Sequence, residues 1–249
     1  KRSRPTKVST YPASRVSRAS YNRRFTFDSF VVGENCKFAF TACHAVAKTP
    51  GKAYNPLFVQ ARTGLGKTHL LQAIAQQILA RRKNARVEYL SSEDFANGYI
   101  DALRDSALPK FRQHYRNVDL LLIDDVHFFK DKEQLQEEFF HTFNALYNGH
   151  RQIVISSDRP PAEIGGLQKR LVSRFEWGLA TEIEPPDLET RIAILQKKQM
   201  EHAVALDDGI LEYVASRIRS NVRRLEGALV RLVSYGSMTG QPVDRDTAE

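Results

Sequence analysis

Two hydrophobic periodicities alternate along the chain from Phe25 onward: short apolar runs, and longer segments whose apolar positions recur every three or four residues. Pro56-Leu57-Phe58-Val59 reads as a buried strand. Thr68 to Arg81 follows with apolar residues at 70, 71, 74, 78 and 79, one face of a helix. Residues 86–90 read as a strand and 93–104 as a helix. Asp119-Leu120-Leu121-Leu122-Ile123 is continuously apolar after its first residue, as a strand covered on both faces should be. Residues 132–148 form a helix, 152–155 a strand, and 179–184 a fifth strand. Strands alternating with helices predict an α/β fold with a parallel sheet covered on both sides.

Pro185-Pro186 stops the last strand, and only helical periodicity follows, over 187–203, 207–219 and 221–235. Asp187 and Asp207 are placed to cap the first two of these helices. The expected division is therefore a segment before the fold at 1–24, an α/β subdomain at 25–185, and a small all-helical subdomain at 186–249.

Charge changes the reading of the first segment. The chain of 249 residues carries a net charge of +8. Residues 1–24 hold eight of its basic residues and no acid, while the other 225 hold 29 basic and 29 acidic residues. The excess thus lies in a tail rich in Ser, Thr and Pro, too poor in apolar residues to offset the entropy of ordering it. It reads as a disordered linker, either simply solvated or an electrostatic tether for a polyanion. No run of about 18 apolar residues predicts a membrane span, and no apolar signal region opens the chain. Two cysteines, Cys36 and Cys43, make neither a disulfide scaffold nor a four-ligand zinc site. Seven apart, they read as core residues on one helix face, as do Phe139, Phe140 and Phe143. The chain opens on Lys1 rather than Met and is expected to be part of something longer.

Chemistry enters with Gly64-Leu65-Gly66-Lys67-Thr68, directly after a strand and opening a helix. Such a loop needs small residues so that backbone N–H groups converge on phosphates, a Lys for the β/γ charge, and a hydroxyl for Mg²⁺. The first glycine of that pattern is replaced by Ala61, which is tolerable where φ is negative and harmful where it is positive. Leu121-Leu122-Ile123-Asp124-Asp125 puts two carboxylates at the C-terminal end of a buried strand, where open α/β sheets bind ligands. Asp124 would reach Mg²⁺ and Asp125 would orient the attacking water. Ser156-Ser157-Asp158-Arg159 ends the next strand and serves either as a γ-phosphate sensor or as a turn. Arg170 and Arg174, four apart, share a helix face as a potential arginine finger or a solvated basic face. Asn221-Val222-Arg223 opens a basic patch whose Arg223 could reach the phosphates.

Together these motifs resemble the AAA+ P-loop NTPases, and within them the DnaA family of bacterial replication initiators, over residues 25–236. Phe25-Thr26-Phe27-Asp28-Ser29-Phe30-Val31-Val32-Gly33, Gly64 to Leu71, Glu137 to Asn144, Ser157 to Pro161 and Arg170 to Leu179 carry the resemblance. It implies a five-stranded parallel sheet with a helical lid, and a slow ATPase with ATP and Mg²⁺ as cofactors. In the ATP state the module would self-assemble at the chromosomal origin and engage single-stranded DNA to help open the duplex. By position, Gly64, Leu65, Gly66, Lys67, Thr68 and His69 hold phosphates, with Thr68 and Asp124 on the metal. Phe30, Val31, Val32 and Gly33 flank the adenine; Asp125 and Arg174 are catalytic; Asp158 and Arg223 are sensors; Arg170 sits beside Arg174 between subunits. Ile100 and Lys132 match positions that hold single-stranded DNA, and a second basic position there falls on Gln134. The resemblance further implies a cytoplasmic, nucleoid-associated protein with the replicative helicase and acidic phospholipids among its partners. Origin duplex would be read only by a C-terminal domain that has no counterpart in these residues. A related regulatory or helicase-loading ATPase, and a nucleotide-dependent scaffold without catalysis, are the competing readings.

Overall fold

Five strands and nine α-helices are seen in a computed structural model that describes residues 21–201, 206–240 and 243–244. In order they are α1 (Lys37–Lys48), β1 (Leu57–Ala61), α2 (Lys67–Arg81), β2 (Val87–Ser91), α3 (Ser92–Arg104), α4 (Leu108–Tyr115) and β3 (Leu120–Asp124). Then come α5 (Glu133–Asn148), β4 (Gln152–Ser157), α6 (Lys169–Glu176), β5 (Leu179–Ile183), α7 (Leu188–Gln199), α8 (Asp208–Arg217) and α9 (Val222–Thr239). The sheet is parallel throughout, in the order β2-β3-β4-β1-β5. Its register aligns Val59 with Ser156 and Ser91 with Asp124, so the carboxyl ends of β1, β3 and β4 share one edge.

The apolar run of β3 is split between two cores, as a strand covered on both faces requires. Leu120 and Leu122 face the core built with α1 and α2, and Leu121 and Ile123 the core built with α3, α5 and α6. On β1, Leu57 and Val59 join the first core and Phe58 the second. The helical segment has a core of its own, including Leu195, Leu211, Ala215, Leu225 and Leu229. Asp187 and Asp207 cap α7 and α8 through hydrogen bonds from Thr190 N and Gly209 N.

The structure corrects the segment boundaries. Tyr21 is buried and tilted against Tyr89, Asn22 N donates to Gln72 Oε1 at 2.9 Å, and Gln76 Nε2 donates to Asn22 O at 3.1 Å. Residues 21–24 are therefore anchored on the fold rather than forming part of a linker; 1–20, 202–205, 241–242 and 245–249 lie outside the described residues. Helix α4 escapes hydrophobic patterning because Phe111 alone is fully buried on it. Helix α9 runs through Gly236 to Thr239 instead of stopping at 235, and ends on Gly240 at φ 65°. Cys36 precedes α1 rather than lying on it, though both cysteines are buried. Phe140 is partly exposed, unlike Phe139 and Phe143.

Candidate nucleotide-binding site

The loop between β1 and α2 arches over the start of α2 with Gly64 and Gly66 at φ 85° and 104°, conformations glycine adopts without penalty. Ala61 closes β1 and is not among the positive-φ residues, so its methyl is accommodated. Lys67 is 6% exposed; its ammonium donates to Ala61 O at 2.7 Å and lies 3.8 Å from Asp125 Oδ1. Thr68 Oγ1 donates to Asp124 Oδ2 at 2.7 Å. Tyr89 OH donates to the same oxygen at 3.0 Å, and Ser156 Oγ donates to Oδ1. Burial and the Asp124 charge raise the Tyr89 phenol, which keeps it a donor. Thr68 and Asp124 thus converge on one point where the loop meets the end of β3, a donor pair suited to a divalent cation shared with phosphates. Among the described residues no group of three or more His, Cys, Asp and Glu could hold a metal.

Asp125 takes a left-handed conformation at φ 58°, with its N–H bonded to Ser156 Oγ at 3.0 Å, which turns the side chain toward Lys67. Burial and the neighbouring Asp124 push its carboxyl up, against the pull of Lys67 and His127. Asp158 lies off the cleft wall. Two hydrogen bonds from the Arg159 guanidinium, both 2.9 Å, hold its carboxyl below the usual range. His127, which the sequence reading passed over, stands between the acids, with Nδ1 at 3.5 Å from Asp158 Oδ1 and 4.0 Å from Asp125 Oδ1.

One cleft of ≈ 340 Å³ gathers most of the expected groups: Phe30, Val31, Gly64 to His69, Asp125 and Arg223. That volume suits a small-molecule ligand. The lid closes it through α9: Val222 N donates to Gly64 O at 3.1 Å, and a Cβ on Gly64 would sit 2.3 Å from Asn221 Oδ1. Two helix N-termini, of α2 and α9, therefore face the loop. Val32 is exposed outside the cleft, and Gly33 packs against Thr190. Asn35, Cys36, Thr190, Ile194, Lys198 and Glu226 are also among its lining residues. Nothing in local sequence marks them, because α7 and α9 bring most of them in from the lid. His69 stacks on Phe25 at 4.7 Å and bonds Thr26 O at 2.8 Å; burial lowers it to about 4, so it is neutral at pH 7.

Arg170 and Arg174 lie outside the cleft on α6, and no ion pair is seen for either among the described residues. Ile100 on α3 is 58% exposed, and Lys132 directly precedes α5, exposed and without a side-chain cap bond, with Gln134 exposed nearby.

A five-stranded parallel sheet with this strand order, a phosphate loop after β1, paired acids after β3 and a helical lid over the cleft define an AAA+ P-loop nucleotide-binding module. The model of the bacterial DnaA ATPase domain matches residues 21–182, and the chain belongs to that family. It is similar to domain III of the Thermotoga maritima replication initiation protein DnaA, at 45% identity and TM-score 0.89, over 92% of this chain and 95% of that one. It is also similar to DnaA from Aquifex aeolicus bound to AMPPCP, at 39% identity and TM-score 0.81, over 89% of this chain and 68% of that one. A replication initiator DnaA bound to AMPPCP and single-stranded DNA matches at 38% identity and TM-score 0.80, over 89% and 67%. The Thermotoga maritima RuvB branch migration motor, at 18% identity and TM-score 0.64, shares the fold. The chain is thus a nucleotide-binding replication initiator module.

Proposed function

We propose that the module binds ATP with Mg²⁺, hydrolyses it slowly, and uses the nucleotide state to switch self-assembly at the chromosomal origin. The observation that carries this reading is the cleft: Lys67, Thr68 and Asp125 line it, buried Asp124 is bonded to Thr68, and α9 brings Arg223 to the same cleft. Thr68 and Asp124 would hold a Mg²⁺ ion, which would supply positive charge against the phosphates. Lys67 would leave Ala61 O for those phosphates, and Asp125 would orient water against the γ-phosphate. Arg223 would contact phosphate, Asp158 would act on the γ-side through His127, and Phe30, Val31, Val32 and Gly33 would border the base. Arg174, with Arg170 beside it, would reach the ATP of the next subunit.

In the assembled state Ile100 and Lys132 would contact single-stranded DNA; the relative bound to such a strand supports this reading. Origin duplex, the replicative helicase and acidic phospholipids would be partners of the whole initiator in a bacterial cytoplasm, near the nucleoid.

Sedimentation of the purified chain with ATP, ADP or no nucleotide tests the switch. ATP-specific assembly that Arg174→Ala abolishes supports it, and assembly indifferent to nucleotide overturns it. Phosphate release measured alongside separates it from a scaffold without catalysis.

A further inference from the structure

The groups around Arg174 form a continuous stack. Phe143, in the core, stacks on Tyr147 at 6.1 Å and 10°. Tyr147 stacks on Trp177 at 5.1 Å. The Arg174 guanidinium carbon lies 4.4 Å from the Trp177 ring centre and 5.8 Å from that of Phe140, and Arg170 covers Phe140 at 4.6 Å. Trp177 is the single tryptophan of the chain and is 56% exposed, with Tyr147 and the Arg174 guanidinium against its ring.

Its position is fixed from both sides. Leu179 N donates to Pro56 O at 3.0 Å, and a Cβ on Gly178 would fall 1.9 Å from that same oxygen. The backbone after Trp177 is thus pressed onto the strand that leads to the phosphate loop. Phe140 and Tyr147 project from α5 about two turns apart, so their rings share one side of the helix. Arg174 has no carboxylate partner among the described residues; such an arginine would otherwise sample many rotamers in water, and ordering it at an interface costs free energy. Ring faces attract a guanidinium without neutralising it. A carboxylate in the same place would hold it too, but would compete with a phosphate for it.

We propose that Trp177, with Phe140, is a positioning residue that holds Arg174 extended and uncompensated for the nucleotide of a second copy of this chain. The proposal rests on the reading of Arg174 as a finger acting in trans. Trp177 touches no nucleotide; it acts through Arg174, lowering the cost of presenting it.

Mixing experiments test this with two kinds of subunit. The acceptor carries Arg174→Ala, so it keeps its own cleft but presents no finger. The donor carries Asp125→Asn, so it presents a finger but does not hydrolyse. Steady-state hydrolysis by the mixture with ATP and Mg²⁺ then reports the donor's finger. Donors further changed by Trp177→Leu should support about five- to tenfold slower turnover, with the acceptor's KM for ATP unchanged. Donors with Trp177→Phe, which keep a ring face, should recover most of the rate. Circular dichroism and melting of each donor confirm its fold, and a Phe140→Leu donor gives an independent second variant. A Trp177→Leu donor as effective as its parent overturns the proposal and leaves the finger reading standing. Equal rates for Trp177→Phe and Trp177→Leu overturn the ring-face account. An Arg174→Ala chain that hydrolyses alone at the unsubstituted rate overturns the finger reading and the proposal with it.

Discussion

At the scale of single residues, the phosphate loop was legible because its chemistry demands fixed residue types at fixed spacing. Lys67, Thr68, Asp124 and Asp125 could be singled out from local sequence alone, and the structure brings their side chains together. Ala61 shows how a departure from such a pattern resolves. The loop needs glycine where the backbone turns left-handed, and residue 61 is still strand, with its carbonyl receiving the Lys67 ammonium. Ala61→Gly should therefore leave ATP hydrolysis within about twofold of its starting rate while lowering stability by roughly 0.5–1 kcal/mol through backbone entropy. Parallel phosphate-release assays and urea melts check both halves; a large gain in rate would show that the methyl obstructs the loop. Asp124→Asn tests the opposite kind of position. It removes the charge from a carboxylate that receives Thr68, Tyr89 and Ser156. Mg²⁺-dependent strengthening of ATP binding should be lost, and an affinity measured by calorimetry that remains Mg²⁺-dependent would contradict the assignment. His127 was not legible, since its place between Asp125 and Asp158 depends on how β3 and β4 lie side by side.

At the scale of elements, α2, α3, α5 and the helices after Pro186 were read to within a few residues of their ends, while α4 was not read at all. Its eight residues bury only Phe111, too little to leave a period. Phe111 packs among Phe95, Tyr99 and Tyr115, and charge adds to that hold: Arg112 and Arg116 both bond Glu138 of α5, at 2.8 Å each, with the Glu138 side chain 3% exposed. Burial alone would raise the Glu138 carboxyl, yet the two guanidinium contacts hold it below the usual glutamate range. A carboxyl depressed in the folded state contributes stability that is fully present above its unfolded pKa, near 4.3, and is lost as pH falls through the folded value. Stability should thus fall with acidification below about pH 4.5 partly through this group. Glu138→Gln should cost roughly 1–3 kcal/mol at pH 7 and flatten that part of the acid limb. Urea melts at pH 7, 5, 4 and about 3 measure it; an unchanged acid limb in the variant would assign the loss to other groups. The capping aspartates of α7 and α8 were legible for the opposite reason, since an N-cap is a local demand met by a local side chain.

At the scale of the whole molecule, the base and the lid meet through contacts that no local pattern encodes. Arg24 bonds Glu201 at 3.2 Å, Lys197 bonds Asp28 O, and Val222 bonds Gly64 O. A nucleotide that touches the loop therefore touches the position of α9 as well. Charge belongs to this scale too. The +8 of the chain lies within its first 24 residues, and the remainder is neutral. Strand binding by the folded body must then depend on a few placed groups rather than on a general positive field. On the proposed reading, with Lys132 present and Gln134 in place of a second cation, each subunit would offer about one phosphate contact at that surface. Neutralising one phosphate of a single strand contributes about 0.7 to the slope of log K against log salt. ATP-dependent binding of oligo-dT should thus show a slope of about 0.7 per assembled subunit. Removing residues 1–20, which carry six of the eight basic side chains of the tail, should leave that component intact. Fluorescence titrations of both chains at several salt concentrations, with ATP and with ADP, decide the matter. An ATP-dependent slope that collapses when the tail is removed would move the strand site off Ile100 and Lys132 and onto the tail.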